Sequence, residues 1–127
     1  MLCIRTLLVY SKSAGRFWYF DSMSSSAAVP AHAQAIATKL APVVSTSGTS
    51  SIEVSTCSTP RQTNGFDCGV YCLAIAEWLC LHVASAAGGG ETTAAATDLT
   101  KVDSLTPSAI SAKRMAISAI VRSLAGL

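Results

Sequence analysis

Charge, histidine and paired cysteines are all scarce in this 127-residue chain, and each scarcity closes off a class of function. Lys and Arg number 9 and Asp and Glu 7, for a net charge of +2, and the basic residues are scattered. With no Lys/Arg run and no basic stripe interleaved with aromatics, a nucleic-acid surface is not expected. No apolar stretch approaches the roughly eighteen residues that a membrane span needs, so no membrane association is expected. The opening Met1–Tyr10 passes only weakly for a signal peptide. Its apolar run is short, no small-residue cleavage pattern follows, and Phe17–Phe20 sits close behind.

The five cysteines (Cys3, Cys57, Cys68, Cys72, Cys80) are an odd number at irregular spacing, with no C-x-x-C pair. That pattern fits free thiols in a reducing compartment better than a disulfide scaffold, so a cytosolic or nuclear monomer is expected. Cys57, Cys68, Cys72, Cys80 and His82 could be read as metal ligands, since Cys68 and Cys72 share a helix face at i, i+4. There is no second paired element to complete a zinc site, so neither a metal nor another cofactor is expected.

What the chain does hold is a modest core. Half of the residues are hydrophobic, but many are alanines, which carry little burial energy. The large side chains cluster in Leu7–Tyr10, Phe17–Phe20 and Phe66–Val83. Residues 5–10 and 16–21 read as the strands of a β-hairpin, with Ser11–Gly15 supplying the turn. Pro30 suits a first helical position, and Ala31–Leu40 reads as a helix with Ile36 and Leu40 at i, i+4, ended by Pro42. Ile52–Thr56 alternates like a strand. Asp67–His82 is apolar nearly all round, as a buried central helix would be. Residues 84–98, with Gly88-Gly89-Gly90, read as a low-complexity loop. A last helix starts at Thr106-Pro107, with Ile110, Ile117, Ile120, Val121 and Leu124 on one face. The order is β-β-α-β-α-α in one domain over 1–127. The expected class is α+β or mixed α/β, a small mixed sheet packed on the central helix.

Cys68 opens that central helix, where the positive end of the macrodipole favours a thiolate. Gly69 then removes a side chain where a substrate backbone would need to approach. Gln62 lies six residues earlier, on a loop whose Asn64-Gly65 turn can fold its amide back as a donor to an oxyanion. Taken without context, a cysteine at a helix start is more often a small buried hydrophobe.

The string Gln62-Thr63-Asn64-Gly65-Phe66-Asp67-Cys68-Gly69-Val70-Tyr71 resembles the nucleophile motif of the Ulp/sentrin-specific protease family, Q-x-N-x-x-D-C-G-x-(Y/F). Leu7–Tyr10, Phe17–Ser22 and the closing helix from Thr106 extend the resemblance, most closely to the deneddylase branch. It implies a papain-like cysteine peptidase fold acting on a ubiquitin-like modifier, Nedd-type or SUMO, after its C-terminal Gly-Gly. By the same resemblance Cys68 is the nucleophile, Gln62 the oxyanion-hole glutamine and Asp21 the acid that orients a histidine. Without the resemblance, Asp21 also reads as a loop cap at a hairpin end.

One part of the pattern is missing. The family's His-Trp pair precedes the strand that reads here as Thr6–Tyr10, and Ile4 and Arg5 occupy those positions. Ile4 is 17 residues before Asp21, the spacing of a His–Asp pair on adjacent hairpin strands, so the slot is present without its imidazole. His82 lies fourteen residues beyond Cys68 on one helix, about 21 Å away, and nothing in the sequence places His32 beside the thiol. The resemblance also implies further family sequence upstream. A truncated peptidase domain is therefore expected, leaving Leu7, Leu8 or Tyr10 and a strand edge exposed. Two readings stand: a cysteine peptidase, and a non-catalytic fragment or pseudo-enzyme that at most binds a modifier. An in-frame His-Trp upstream of Met1 in the genome would favour the first.

Overall fold

Large side chains alternate along the hairpin, and that alternation organises the molecule. The computed structural model describes residues 5–24, 26–45, 48, 52–87, 102 and 105–126. Strand β1 (Leu7–Ser11) runs antiparallel to β2 (Arg16–Phe20), with Leu7 opposite Phe20 and Ser11 opposite Arg16. Gly15 closes the turn at φ 61°, a left-handed conformation that glycine adopts without a Cβ clash. Helix α1 (Ala31–Val44) then crosses over to β3 (Val54–Thr56), which lies parallel to β2. The sheet order is β1-β2-β3. Helices α2 (Cys68–Ala87) and α3 (Pro107–Leu124) follow.

The mixed sheet and helices are those expected, but the sheet is covered on both faces and not on one. Successive side chains of a strand point to opposite sides. Phe17 and Tyr19 of β2 pack with Ile52, Val54 and α1, and Leu8 and Tyr10 of β1 join them. Phe20 packs with Ile75 and Leu79 of α2 and with Val102, and Leu7, Val9 and Trp18 join that side. Burying a Phe contributes about 1.5–3 kcal/mol, so β2, with Phe17 and Phe20 almost fully buried on opposite faces, anchors both layers.

Several expected helix faces are corrected. The buried stripe of α1 is Ala33, Ala37 and Ala41, while Ile36 (47% exposed) and Leu40 (40%) flank it. Residues at i, i+4 and i+8 face one way. With only methyl groups there, the helix backbone can approach the aromatic side chains of β2. Pro42 does not end α1, which continues to Val44. The proline removes the N–H that would bond to the Thr38 carbonyl; Thr38 and Pro42 are exposed, so water can serve the freed oxygen. Helix α2 is not buried all round, since Leu73 and Leu81 are exposed, and it runs to Ala87, past the expected start of the loop. The remainder of that expected loop, 88–98, lies outside the described residues. On α3 only Ile110 is buried, against Tyr71 and Ala74 of α2, and Ile120, Val121 and Leu124 face outward. Leu7, Leu8 and Tyr10 are half-buried, not exposed. The exposed apolar surface lies on the helices and at Phe66 in the loop before α2, although β1 is an edge strand among the described residues.

Two outcomes follow. Replacing Ala37→Leu overpacks the contact between α1 and the sheet and is expected to cost about 1–3 kcal/mol, read from the urea unfolding midpoint. Ile36→Ala, half-exposed beside it, should cost clearly less; equal costs would show that the alanine stripe is not the packed face. The outward apolar residues should also make the isolated chain bind a hydrophobic dye and associate at high concentration. A monodisperse monomer with no dye binding and a sharp thermal transition would contradict this.

Candidate active site

The loop before α2 shows how the sequence sets a thiol at a helix start. The Asn64 side-chain oxygen accepts from the backbone N–H groups of Phe66 (3.1 Å) and Asp67 (2.9 Å), and its amide donates to Asp67 Oδ2 (2.8 Å). Asn is suited to this because its short side chain mimics a backbone turn. The Asp67 carbonyl then accepts from Tyr71 N–H at 3.0 Å, the first bond of the helix. Cys68 is the first residue of α2 and is 2% exposed.

Asp67 is buried between this turn and α3. Arg114 Nε stands 3.6 Å from its Oδ1, too far for a hydrogen bond, and that oxygen makes none. The Arg114 guanidinium also lies over the Phe66 ring, 5.3 Å from its centroid. Tyr71 donates its hydroxyl to the Arg61 carbonyl at 3.3 Å. The turn that presents Cys68 is thus braced from α3 and from the preceding loop.

Asp21 stands just beyond the end of β2. Its Oδ1 accepts from the N–H groups of Met23 (2.8 Å) and Ser24 (3.2 Å), and its Oδ2 takes the Tyr19 hydroxyl at 3.5 Å. One oxygen therefore does the loop-capping work, and the other has a single long contact.

Gln62 joins this corner to the loop before α2. Its Oε1 accepts from Ser22 Oγ at 2.7 Å, its backbone N–H donates to the Ser22 carbonyl at 3.0 Å, and its Nε2 donates to the Asn64 carbonyl. In this form one N–H of the amide braces the loop, and the second N–H is the donor an oxyanion would use. Arg61 adds a second tie, Nη2 to the Met23 carbonyl at 2.9 Å.

Electrostatics connect the remaining groups. Burial pushes the half-buried Cys72 thiol above its ordinary value; Cys68 and Asp21 push the same way, and Arg5 opposes them. Cys68, Asp21 and Arg5 thus all act on one point of α2. Gly69 leaves room for Arg5: a Cβ there would stand 3.2 Å from Arg5 Cδ.

Neither histidine joins this group. His32 is exposed on α1 and meets the Tyr19 ring edge-on at 6.1 Å. His82 stacks on Trp78 at 3.8 Å, with Nδ1 2.8 Å from the Trp78 carbonyl. Ile4, expected to mark the slot of a histidine, lies outside the described residues. Cys57, Cys68, Cys72 and Cys80 are free of disulfides. Among the described residues no three His, Cys, Asp or Glu side chains gather as metal ligands, and no helix is long and apolar enough to cross a membrane. Sequence reasoning missed Ser22, Arg61 and Arg114 as braces, and the position of Arg5 over Gly69. Their partners lie far along the chain, and no local pattern marks them.

Comparison with known proteins matches residues 6–86 to the Ulp1 protease family, C-terminal catalytic domain. Sentrin-specific protease 8 of Rattus norvegicus is 33% identical over 78 residues, which are 61% of this chain and 35% of that protein. The chain thus spans about a third of that relative's length. No solved structure matches it.

The tyrosines that frame the site give it a pH dependence. Burial raises Tyr19 and Tyr71 above the ordinary 10.0, and the Asp67 charge adds to the rise at Tyr71. An acid raised by folding stabilises the fold below its unfolded value and ceases to do so as pH climbs through the folded one. The urea midpoint should therefore hold near pH 8 and fall above about pH 10. Tyr71→Phe should flatten that fall, at a cost near neutral pH of about 0.5–1.5 kcal/mol for the lost hydrogen bond. An unchanged alkaline slope would remove Tyr71 from this role.

Proposed function

The chain belongs to the Ulp1 protease family, and from that premise we propose that it is the nucleophile-bearing part of a cysteine peptidase for a ubiquitin-like modifier, Nedd-type or SUMO. The supporting observation is the hydrogen-bonded tie between the Asp21 corner and the Gln62 loop, with Cys68 at the head of α2 behind it. In the full reaction the Cys68 thiolate attacks the carbonyl carbon of the modifier's last glycine. The Cys68 backbone N–H and the Gln62 amide take up the charge that develops on oxygen. The C–N bond then breaks, the amine leaves with a proton, and water hydrolyses the thioester.

The proton for that amine is the weak point. A histidine oriented by Asp21 would take it from the thiol and return it to the leaving group, and Ile4 occupies that slot. The positions of His32 and His82 favour the second reading: as written, the chain at most binds a modifier and does not turn it over. Loss of one member of such a unit costs on the order of 10⁴ or more in rate.

The test is release of a fluorophore from a modifier C-terminus. The 127-residue chain should give no turnover above background, and an extended form carrying a His-Trp segment ahead of Thr6 should cleave. Cys68→Ala should abolish that cleavage. Robust turnover by the unextended chain, lost on Cys68→Ala, would establish that another base serves and that the reading of position 4 is wrong.

A further inference from the structure

A glutamine can present either end of its amide, and an oxyanion is stabilised only by the amine end. The terminal torsion of the side chain is broad and roughly two-fold, so the residue does not choose its own sense. At Gln62 the neighbours choose. Nε2 donates to the Asn64 carbonyl, which can only accept, and Oε1 faces Ser22 Oγ at 2.7 Å. A serine hydroxyl donates or accepts, but against the Gln62 oxygen it must donate.

Burial strengthens this arrangement. Ser22 is 3% exposed and Gln62 is half-buried, so water competes poorly for the oxygen between them. The Ser22 carbonyl also accepts from the Gln62 backbone N–H at 3.0 Å. Residue 22 thus grips Gln62 at the root and at the tip of its side chain. The corner that carries Ser22 is itself fixed, because Asp21 Oδ1 accepts from the N–H groups of Met23 and Ser24. With Oε1 held by Ser22 and one N–H by Asn64, the amide plane is set. Asn64 alone would leave the amide free to pivot about a single bond.

We propose that Ser22 is a positioning residue for the oxyanion donor. Its hydroxyl fixes the plane and sense of the Gln62 amide, and so the direction of the second N–H. Ser22 touches no reacting atom and acts through Gln62. The inference rests on the reading of Gln62 as the oxyanion donor given above.

The test has two arms, both on the 127-residue chain. Its side-chain amides are Gln34, Gln62 and Asn64, so NMR spectra of the isotope-labelled chain carry few NH2 pairs to assign. The Gln62 pair, identified by its loss in Gln62→Ala, should exchange with solvent about fivefold faster in Ser22→Ala. Ser22→Thr, which keeps the hydroxyl, should restore the slow rate. The second arm is capture of a peptide aldehyde ending in glycinal. The Cys68 sulfur bonds to the aldehyde carbon, the thiol proton passes to the oxygen, and that oxygen takes the oxyanion position. Gln62→Ala should weaken capture about tenfold and Ser22→Ala about fivefold, as loss of one hydrogen bond gives. The double variant should lose no more than Gln62→Ala alone, since both act through one group. Alkylation of Cys68 by iodoacetamide forms no oxyanion and should be unchanged in Ser22→Ala. Faster alkylation would show that Ser22 merely keeps the buried thiol in place, and would overturn the proposal. Additive losses in the double variant, or full capture by Ser22→Ala, would overturn it while leaving the reading of Gln62. Capture that is absent, or indifferent to Gln62→Ala, would remove that reading and the proposal with it.

Discussion

The pairing of Ser22 with Gln62 joins segments forty residues apart, and the rest of the site depends on it. Ser22 is 3% exposed, and a buried hydroxyl left without its partner costs about 1–3 kcal/mol. The corner after β2 and the loop before α2 are therefore fixed as a unit. Asp21 sits on one side of that unit and the Asn64 turn on the other. Neither the acid nor the thiol is held by its own element alone. The parallel pairing of β2 with β3 extends the same join upward, since Cys57 N–H donates to the Tyr19 carbonyl at 2.8 Å just beyond the ladder.

The central strand carries the remaining burden. β2 is five residues long and supplies aromatic side chains to both layers. This explains which parts of the fold were legible in the sequence. The hairpin was, because period-2 alternation of large residues with a turn between is a local signal. The α1 face was not: the eye follows Ile36 and Leu40, while the contact with the sheet selects the smallest side chains. Pro42 misled in a similar way. A proline is costliest to a helix where the orphaned carbonyl is buried, and here Thr38 and Pro42 are both exposed.

The site divides along the same line. Cys68, Gln62 and Asp21 could be singled out as candidates because they stand in a contiguous motif or at the end of a recognisable strand. The geometry adds what no motif could state: Gln62 uses its amide as a brace, and one oxygen of Asp21 is spent on the corner. Arg5, Ser22 and Arg114 owe their roles to partners on other elements. Such pairings follow from tertiary packing, and local sequence carries no trace of them.

Helix α3 is attached on unusual terms. Among the described residues its one buried side chain, Ile110, packs on α2, and the ion pairs Lys113–Glu77 and Arg114–Asp67, each with a partly exposed cation, add to that hold. Exposed pairs weaken as ionic strength rises and the Debye length shortens below about 10 Å. The hairpin and α1 are held by apolar contacts that salt does not loosen. The molecule thus has one half held chiefly by apolar contacts and one limb whose grip is largely coulombic, and that limb reaches the residue preceding Cys68. Ionic strength becomes a handle that bears more on the turn before α2 than on the sheet, where a single exposed pair, Arg16–Glu53, stands among the described residues.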